Sequence, residues 1–276
     1  MTLAAPDFAY VADLVRRESA ITLAAGKEYL VEARLLPVAR DAGHATVPAL
    51  VAALKTRPNG ELHRKVVDAM TTNETSFYRD RAPFTALTDH VVPELLKARV
   101  RERRLRIWCA ACSSGQEPYS IAMSLADPLT SAGFTLDLLA TDLSSEMLAR
   151  AQEGRYSQLE VNRGLPAGTL VQHFTRSGTA WQVSDQIRRS VTFRSMNLAA
   201  PFPPMAQMDV VFLRNVLIYF DPPTKAAVLG RVARVLRPDG YLFLGGAETT
   251  INIDPRFERA SLAGAPVYRF RGGAGA

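Results

Sequence analysis

Three groups of residues in this 276-residue chain have types and spacing that could do chemistry. The first is the run Ala-Ala-Cys-Ser-Ser-Gly at 110–115, which follows the apolar segment 105–109. Small side chains let a ligand come close to the backbone, and a helix starting beyond Gly115 offers unpaired N–H donors. The second is Asp142, 27 residues further on at the end of another apolar segment, where a carboxylate can accept both hydroxyl hydrogens of a ribose. The third is Arg214-Asn215, directly after the apolar segment 209–213. Singly, each has a plainer reading. The loop could be an ordinary strand-to-helix turn, Asp142 a helix cap (although Ser144 or Ser145 already serves there), and Asn215 a turn residue. Together they point to one adenosine pocket. The loop is not G-x-G-x-x-G, so a pyrophosphate cofactor is not favoured. Trp-Cys-Ala-Ala-Cys at 108–112 has the spacing of a redox dithiol, but the Ser-Ser-Gly that follows breaks the helix such a motif needs. Both cysteines read instead as small loop residues. No His/Cys/Asp cluster has metal-ligand spacing, and no metal is expected.

These residues need strands to carry them. From residue 105 the chain repeats strand, loop and helix. Strands are expected at 105–109, 135–140, 191–193, 209–213 and 241–244, helices at 116–125, 145–152 and 222–236, and a turn at 236–240. That alternation predicts an α/β fold, a parallel sheet with helices on both faces, in which ligands bind beyond the carboxyl ends of the strands. Residues 153–190 are polar and too long for a plain crossover, so they read as an inserted subdomain. Ahead of this, apolar residues recur with a 3.6-residue period over 8–18, 27–39, 47–54 and 61–70, the last two separated by the breaker Arg-Pro-Asn-Gly at 57–60. The expected division is a helical domain over 1–90, a basic linker over 91–104 and the α/β domain over 105–276, with its insert at about 153–190. The Gly/Ala-rich tail after Arg271 reads as frayed.

With 47% hydrophobic and 22% charged residues, the composition excludes disorder, collagen and disulfide scaffolds. The two cysteines fit a reducing cytoplasm. No run reaches the roughly twenty apolar residues of a membrane helix, and the first residues lack the pattern of a secretory leader, so a cytoplasmic protein without membrane insertion is expected. The net charge of +6 is front-loaded: residues 1–106 hold 17 basic and 13 acidic side chains, against 16 and 14 in the remainder. Residues 97–106 alone carry six cations and one anion. No aromatics interleave with them, so nucleic-acid binding by base stacking is unsupported. A solvated face or an acidic protein partner remains.

Four runs occur in order: Thr-Thr-Asn-Glu-Thr-Ser-Phe-Tyr-Arg-Asp at 71–80, Ala-Cys-Ser-Ser-Gly-Gln-Glu-Pro-Tyr-Ser-Ile-Ala-Met at 111–123, Ala-Thr-Asp-Leu-Ser at 140–144 and Phe-Leu-Arg-Asn-Val-Leu-Ile-Tyr-Phe at 212–220. In these the chain resembles the CheR family, the chemoreceptor glutamate O-methyltransferases of bacterial chemotaxis. The resemblance implies a Rossmann-like class I S-adenosylmethionine-dependent methyltransferase sheet, an N-terminal helical domain and an inserted small antiparallel β-subdomain. It implies S-adenosylmethionine as cofactor, S-adenosylhomocysteine as product, and the cytoplasmic helical domain of chemoreceptors as partner. A monomer is expected. Asn73, Thr75 and Arg79 would close over the cofactor, with Glu117, Asp142, Asn197, Leu198, Arg214 and Asn215 lining the rest of its pocket. Gln116 stands where the family commonly has a second glutamate, and Cys112 is an uncommon variant. In some members the β-subdomain binds a pentapeptide at the receptor C-terminus through a Gly-rich loop. Here residues 174–183 look several residues shorter, which implies a member independent of that tether.

A glutamate carboxylate, with an ordinary pKa of about 4.3, is already an anionic nucleophile at neutral pH. No general base is needed, and His44, His63, His90 and His173 fall outside the motifs. Catalysis then rests on aligning carboxylate oxygen, methyl carbon and sulfonium sulfur. Arg79 is the candidate catalytic residue, anchoring a carboxylate of either substrate or cofactor. Its plainer reading is a surface arginine paired with Asp80 or Glu74. Tyr119 and Tyr219 are aromatic candidates that core packing explains as well. The alternatives are a methyltransferase of the same fold acting on a small molecule or nucleic acid, or a non-catalytic cofactor-sensing module. The first leaves the motif at 73–79 unexplained, and the absence of Asn-Pro-Pro-Tyr argues against methylation of base amino groups. The basic front could steer acidic receptor helices toward the site.

Overall fold

The computed structural model describes residues 3–56 and 60–271. Residues 57–59 of the breaker expected at 57–60, and the tail beyond Arg271, lie outside the described residues. The chain divides into two compact units, Met1–Thr72 with Tyr219–Thr224, and Asn73–Ile218 with Lys225–Ala276.

In the first unit the four expected helices form: α1 (Ala5–Ser19), α2 (Glu28–Asp41), α3 (Val47–Thr56) and α4 (Glu61–Met70). The apolar positions at helical spacing are the ones buried, among them Val11 and Leu14 of α1, Val31 and Leu35 of α2, Leu50 and Leu54 of α3, and Val66 and Met70 of α4. Arg34 of α2 donates to the carbonyls of Met70 (2.8 Å) and Thr71 (3.0 Å), satisfying the end of α4. The strip Tyr219–Thr224 belongs to this unit, where the Tyr219 carbonyl accepts the Thr22 N–H at 3.1 Å.

The unit boundary departs from the sequence reading. It falls at Thr72/Asn73 rather than at 90, and residues 91–104 are not a linker. Residues 82–98 form helix α5 (Ala82–Ala86), a π-turn (Leu87–Val91) and helix α6 (Val92–Ala98). Phe84, Leu87, Val91, Val92 and Leu95 are buried in the core of the second unit. The cationic run is also partly internal. Arg99 is buried and pairs with Asp209 (2.7 Å) and Asp239 (2.5 Å), while Arg106 lies 3.5 Å from Asp137. Lys97, Arg101, Arg103 and Arg104 stay exposed.

The second unit is a seven-stranded sheet: β1 (Arg104–Ala110), β2 (Thr135–Asp142), β6 (Val191–Ser195), β7 (Met208–Leu213), β8 (Leu236–Leu244), β9 (Phe257–Leu262) and β10 (Ala265–Phe270), in the order β6-β2-β1-β7-β8-β10-β9. The first five are parallel; β10 runs antiparallel to β8 and β9. The sheet is therefore mixed: the five strands expected from the alternation are its parallel part, and the hairpin β9–β10 extends it. The overlooked hairpin turns at Ala263-Gly264, both with positive φ (48° and 72°), as a two-residue β-turn requires. The expected turn at 236–240 is an irregularity inside β8. The register steps from Met208↔Leu236 to Val210↔Tyr241, and Gly240 closes the excursion where a Cβ would lie 2.9 Å from the Arg237 carbonyl. Helices α7 (Gln116–Ala132) and α8 (Ser145–Glu153) pack on β2; α12 (Pro222–Val235) connects toward β8. Among the described residues, no helix is long and apolar enough to cross a membrane.

Between α8 and β6 lies the insert. Strands β3 (Arg155–Ser157), β4 (Phe174–Ser177) and β5 (Ala180–Val183) form an antiparallel sheet in the order β3-β5-β4, accompanied by the short helices α9 (Gln158–Asn162), α10 (Ala167–His173) and α11 (Asp185–Arg189). Phe77 anchors it, edge-to-face on Tyr156 at 4.9 Å and on Phe174 at 5.6 Å. Gly164 (φ +96°) passes so close that a Cβ would lie 2.1 Å from the Phe77 carbonyl oxygen. Gly164→Ala should therefore cost about 1–3 kcal/mol from backbone strain alone and displace Phe77 in addition. A lowered thermal midpoint checks this, and an unchanged one would contradict the packing.

Candidate functional site

Strand register brings the three sequence groups together. Ala110, the last residue of β1, pairs with Thr141 on one side and with Leu213 on the other. The loop 111–115, Asp142 and Arg214-Asn215 thus leave three adjacent strands side by side. This is the point where strand order reverses, since β2 lies on one flank of β1 and β7 on the other.

The loop is held from several directions. Cys112 N–H donates to the Thr141 carbonyl (2.8 Å), and Ser113 N–H to Asp142 Oδ2 (2.7 Å). The Ser113 hydroxyl donates to the Asn73 carbonyl (2.8 Å), and Tyr156 of the insert donates its hydroxyl to the Ser114 carbonyl (2.6 Å). Gly115 (φ +95°) is required by close packing: a Cβ would sit 2.9 Å from both the Ala151 Cβ and the Tyr156 hydroxyl. Tyr78, Asp80, Arg81, Ala111, Ser113 and Asn215 all carry positive φ, between 45° and 67°. Strain of this kind persists only where surrounding bonds over-determine it, and it clusters at functional sites.

Asp142 is buried, and its Oδ1 accepts the Ser144 N–H at 2.9 Å. Ser144, whose hydroxyl accepts the Met147 N–H, is the cap of α8, so Asp142 does not serve as one. The carboxylate thus accepts backbone amides from both sides, Ser113 on Oδ2 and Ser144 on Oδ1, with the Leu143 amide acting on it as well. Burial raises the Asp142 pKa above the ordinary carboxylate range, against the lowering effect of the Ser144 and Ser113 amides.

Arg214 is buried and bridges two carboxylates, the buried Glu117 and the exposed Asp80. Its Nη1 donates to Glu117 Oε2 (2.5 Å), and its Nη2 donates to Asp80 Oδ2 (2.6 Å) and the Arg79 carbonyl (3.2 Å). Its buried Nε makes no hydrogen bond among the described residues. Glu117 Oε1 accepts the Cys109 thiol at 3.2 Å. Burial, followed by the Glu117 charge, pushes the Cys109 thiol well up; burial and Asp142 do the same to Cys112. Both are the reverse of a reactive thiolate.

The remaining sequence-named residues are less concentrated. Arg79 turns back on its own motif, Nη1 donating to the Glu74 carbonyl at 2.8 Å. Neither expected side-chain partner takes it, since Asp80 pairs with Arg214 and Glu74 with Arg163 (2.5 Å). Thr75 is half-buried in the same segment. Asn197 Oδ1 accepts the Ala199 N–H (2.9 Å), and the Leu198 carbonyl accepts Arg231 Nη1 (3.0 Å), which orders the loop after β6. Asp80, Tyr156 and Glu248 were missed by the sequence reading. Asp80 lay within a quoted motif; Glu248, close behind β8, could have been found only as an acidic residue near another strand tip.

Comparison with known proteins assigns the fold a family. The description "CheR methyltransferase, SAM binding domain" matches residues 73–264, and "CheR methyltransferase, all-alpha domain" matches residues 6–71. The chain belongs to the CheR methyltransferase family. The junction between the two matches coincides with the unit boundary at Thr72/Asn73. The chain is 40% identical over 274 residues to chemotaxis protein methyltransferase 1 of Pseudomonas aeruginosa, covering 98% of this chain and 99% of that one. It is 38% identical to chemotaxis protein methyltransferase Cher2 of Pseudomonas putida (95% and 97% covered) and 33% identical to the chemotaxis protein methyltransferase of Escherichia coli (97% and 92% covered). It is an S-adenosylmethionine-dependent methyltransferase.

The residues present fit that cofactor. S-adenosylmethionine offers hydroxyl and ammonium donors and a carboxylate acceptor. Asp142 at the end of β2 and Glu117 in the first turn of α7 are acceptors, and the buried Arg214 Nε, without a hydrogen bond among the described residues, is a donor just beyond β7.

Proposed function

We propose that the enzyme transfers the methyl group of S-adenosylmethionine to glutamate side chains on the cytoplasmic helices of chemoreceptors, forming γ-methyl esters. The observation that carries this reading is the buried Arg214–Glu117 pair, joined by the exposed Asp80, with Asp142 at the tips of three adjacent strands, in a chain whose relatives are named chemotaxis protein methyltransferases. In this reading Asp142 accepts from the ribose hydroxyls, and Glu117, Arg214, Asn215, Asn197 and Leu198 line the remaining pocket. Asn73, Thr75 and Arg79 lie over it, with Arg79 holding a carboxylate.

The cofactor supplies an electrophilic methyl on a positively charged sulfonium. The protein's task is to bring an already ionised glutamate into line with it and keep water out. No side chain has to remove a proton, because the nucleophile is anionic near neutral pH. Holding near-attack geometry can be worth about 7–11 kcal/mol. Attack by an anion on a cation neutralises charge, so exclusion of water favours transfer.

The insert supports a reading without the receptor pentapeptide. Residues 174–183 make a minimal hairpin, Ser177 pairing with Ala180 across only Gly178-Thr179, with no room for an additional Gly-rich loop. Incubation with methyl-labelled S-adenosylmethionine and a receptor cytoplasmic fragment should give label that alkali releases as methanol. Absence of label on any receptor fragment would overturn the glutamate assignment. Micromolar binding of a pentapeptide-bearing receptor tail in calorimetry would overturn the tether independence.

A further inference from the structure

Beyond β8 the chain reads Gly-Gly-Ala-Glu at 245–248, and Glu248 is buried. Its carboxylate is bonded at every lone pair. Oε2 accepts the N–H groups of Asn215 and Gly245, both at 2.7 Å, and Oε1 accepts those of Val216 (2.9 Å) and Leu217 (2.7 Å). Four backbone amides thus converge on one side chain, three of them from the segment that follows β7. The first of those three, Asn215, has φ 57°, a left-handed conformation that a non-glycine residue holds only under constraint.

Gly245 completes the arrangement. A Cβ there would lie 2.6 Å from Asn215 Nδ2 and 2.8 Å from Glu248 Oε2, so only a residue without a side chain lets the Asn215 amide and the Glu248 carboxylate sit together. We propose that Glu248, with Gly245, is a positioning residue of the cofactor site: it holds Asn215 in its left-handed conformation and thereby presents Asn215 to S-adenosylmethionine. The inference rests on the reading of Asn215 as a cofactor contact.

Glu248→Gln is nearly isosteric yet informative. A glutamine offers one acceptor oxygen and sets an NH2 group against two of the backbone donors. Titration calorimetry with S-adenosylhomocysteine on the full chain, well below the melting temperature, should show E248Q raising Kd about tenfold with one site per chain retained. Gly245→Ala should act likewise by displacing the Asn215 amide, and it keeps the test open if E248Q does not fold. N215A should also weaken binding, and the double variant E248Q/N215A should be no weaker than N215A alone, because the two act through one contact. A merely structural role would lower the number of binding-competent chains and leave Kd unchanged. Unchanged Kd in E248Q or, failing that, in G245A, or full additivity with N215A, overturns the proposal while leaving Asn215 as a contact. Unchanged Kd in N215A overturns the Asn215 reading and this proposal with it.

Discussion

Replacing Asp142 with alanine is expected to raise the dissociation constant for S-adenosylmethionine about 100-fold. Two charge-assisted hydrogen bonds from a ribose diol are each worth about 1.5 kcal/mol or more, and about 3 kcal/mol corresponds to a hundredfold. The loss should be compounded at the loop. The same carboxylate accepts the Ser113 N–H at 2.7 Å and the Ser144 N–H at 2.9 Å, so its removal loosens one wall of the pocket as well as the contact itself. Titration calorimetry reads the effect directly, and an affinity unchanged from wild type would reject the ribose role. A pH series sharpens the test. Burial raises the Asp142 pKa, and only the ionised form accepts two hydroxyls. Affinity should therefore fall as pH drops through a value above the ordinary aspartate range, and D142A should lack that step. Stability runs the other way. Because the folded-state pKa is raised, this group's contribution to folding is fully present below the unfolded-state value and is lost as pH rises through the folded-state value.

The second large effect lies at the opposite ends of the strands. Asp209 is fully buried at the start of β7. It accepts Arg99 Nε at 2.7 Å and the Arg106 backbone N–H at 2.8 Å, and Arg237 Nε stands 3.5 Å away. Arg99 in turn forks onto Asp239 (2.9 and 2.5 Å), and Arg237 onto Glu102 (2.8 and 2.6 Å). Asp209→Ala leaves the buried Arg99 guanidinium short of its most shielded partner, and stranding a buried charge in this way costs about 3–5 kcal/mol. For a unit of this size that is a drop of roughly 10 °C in thermal midpoint. Cofactor affinity measured below that midpoint should not change, since the network sits at the entry ends of β1, β7 and β8 and the site at their exits. A variant that melts like wild type would show the network to be dispensable, and one that loses cofactor affinity would show the two ends of the sheet to be coupled.

How much was legible beforehand varies with the range of the interactions. The repeated strand, loop and helix after residue 105 follows from local apolar patterning, and β1, β2, β6 and β7 fall within a few residues of where that patterning puts them. The hairpin β9–β10 carried a readable signal in Ala263-Gly264, but it lay beyond the last expected helix, where the alternation had stopped. The cationic run looked like a solvated linker because nothing local reveals that Arg99 finds Asp209 and Asp239, 110 and 140 residues away. The apolar residues Val91, Val92 and Leu95 were the missed evidence that this stretch belongs to a core.

The sequence alone determined the types of the candidate pocket residues, the small-residue loop, the carboxylate ending the second strand and the arginine–asparagine pair following another, because backbone geometry and side-chain chemistry make those requirements local. Register alone decided that they meet. A parallel pairing that sets Ala110 opposite both Thr141 and Leu213 places their successors within reach of one ligand, and no local propensity encodes that offset. Tertiary structure also decided which charges serve the site and which serve the fold. Arg214 and Glu117 converge at the strand exits, Arg99 and Asp209 at the entries, and Glu248 is given over to four backbone amides. An ionised side chain must find partners wherever the chain buries it, and only the complete fold says where that is.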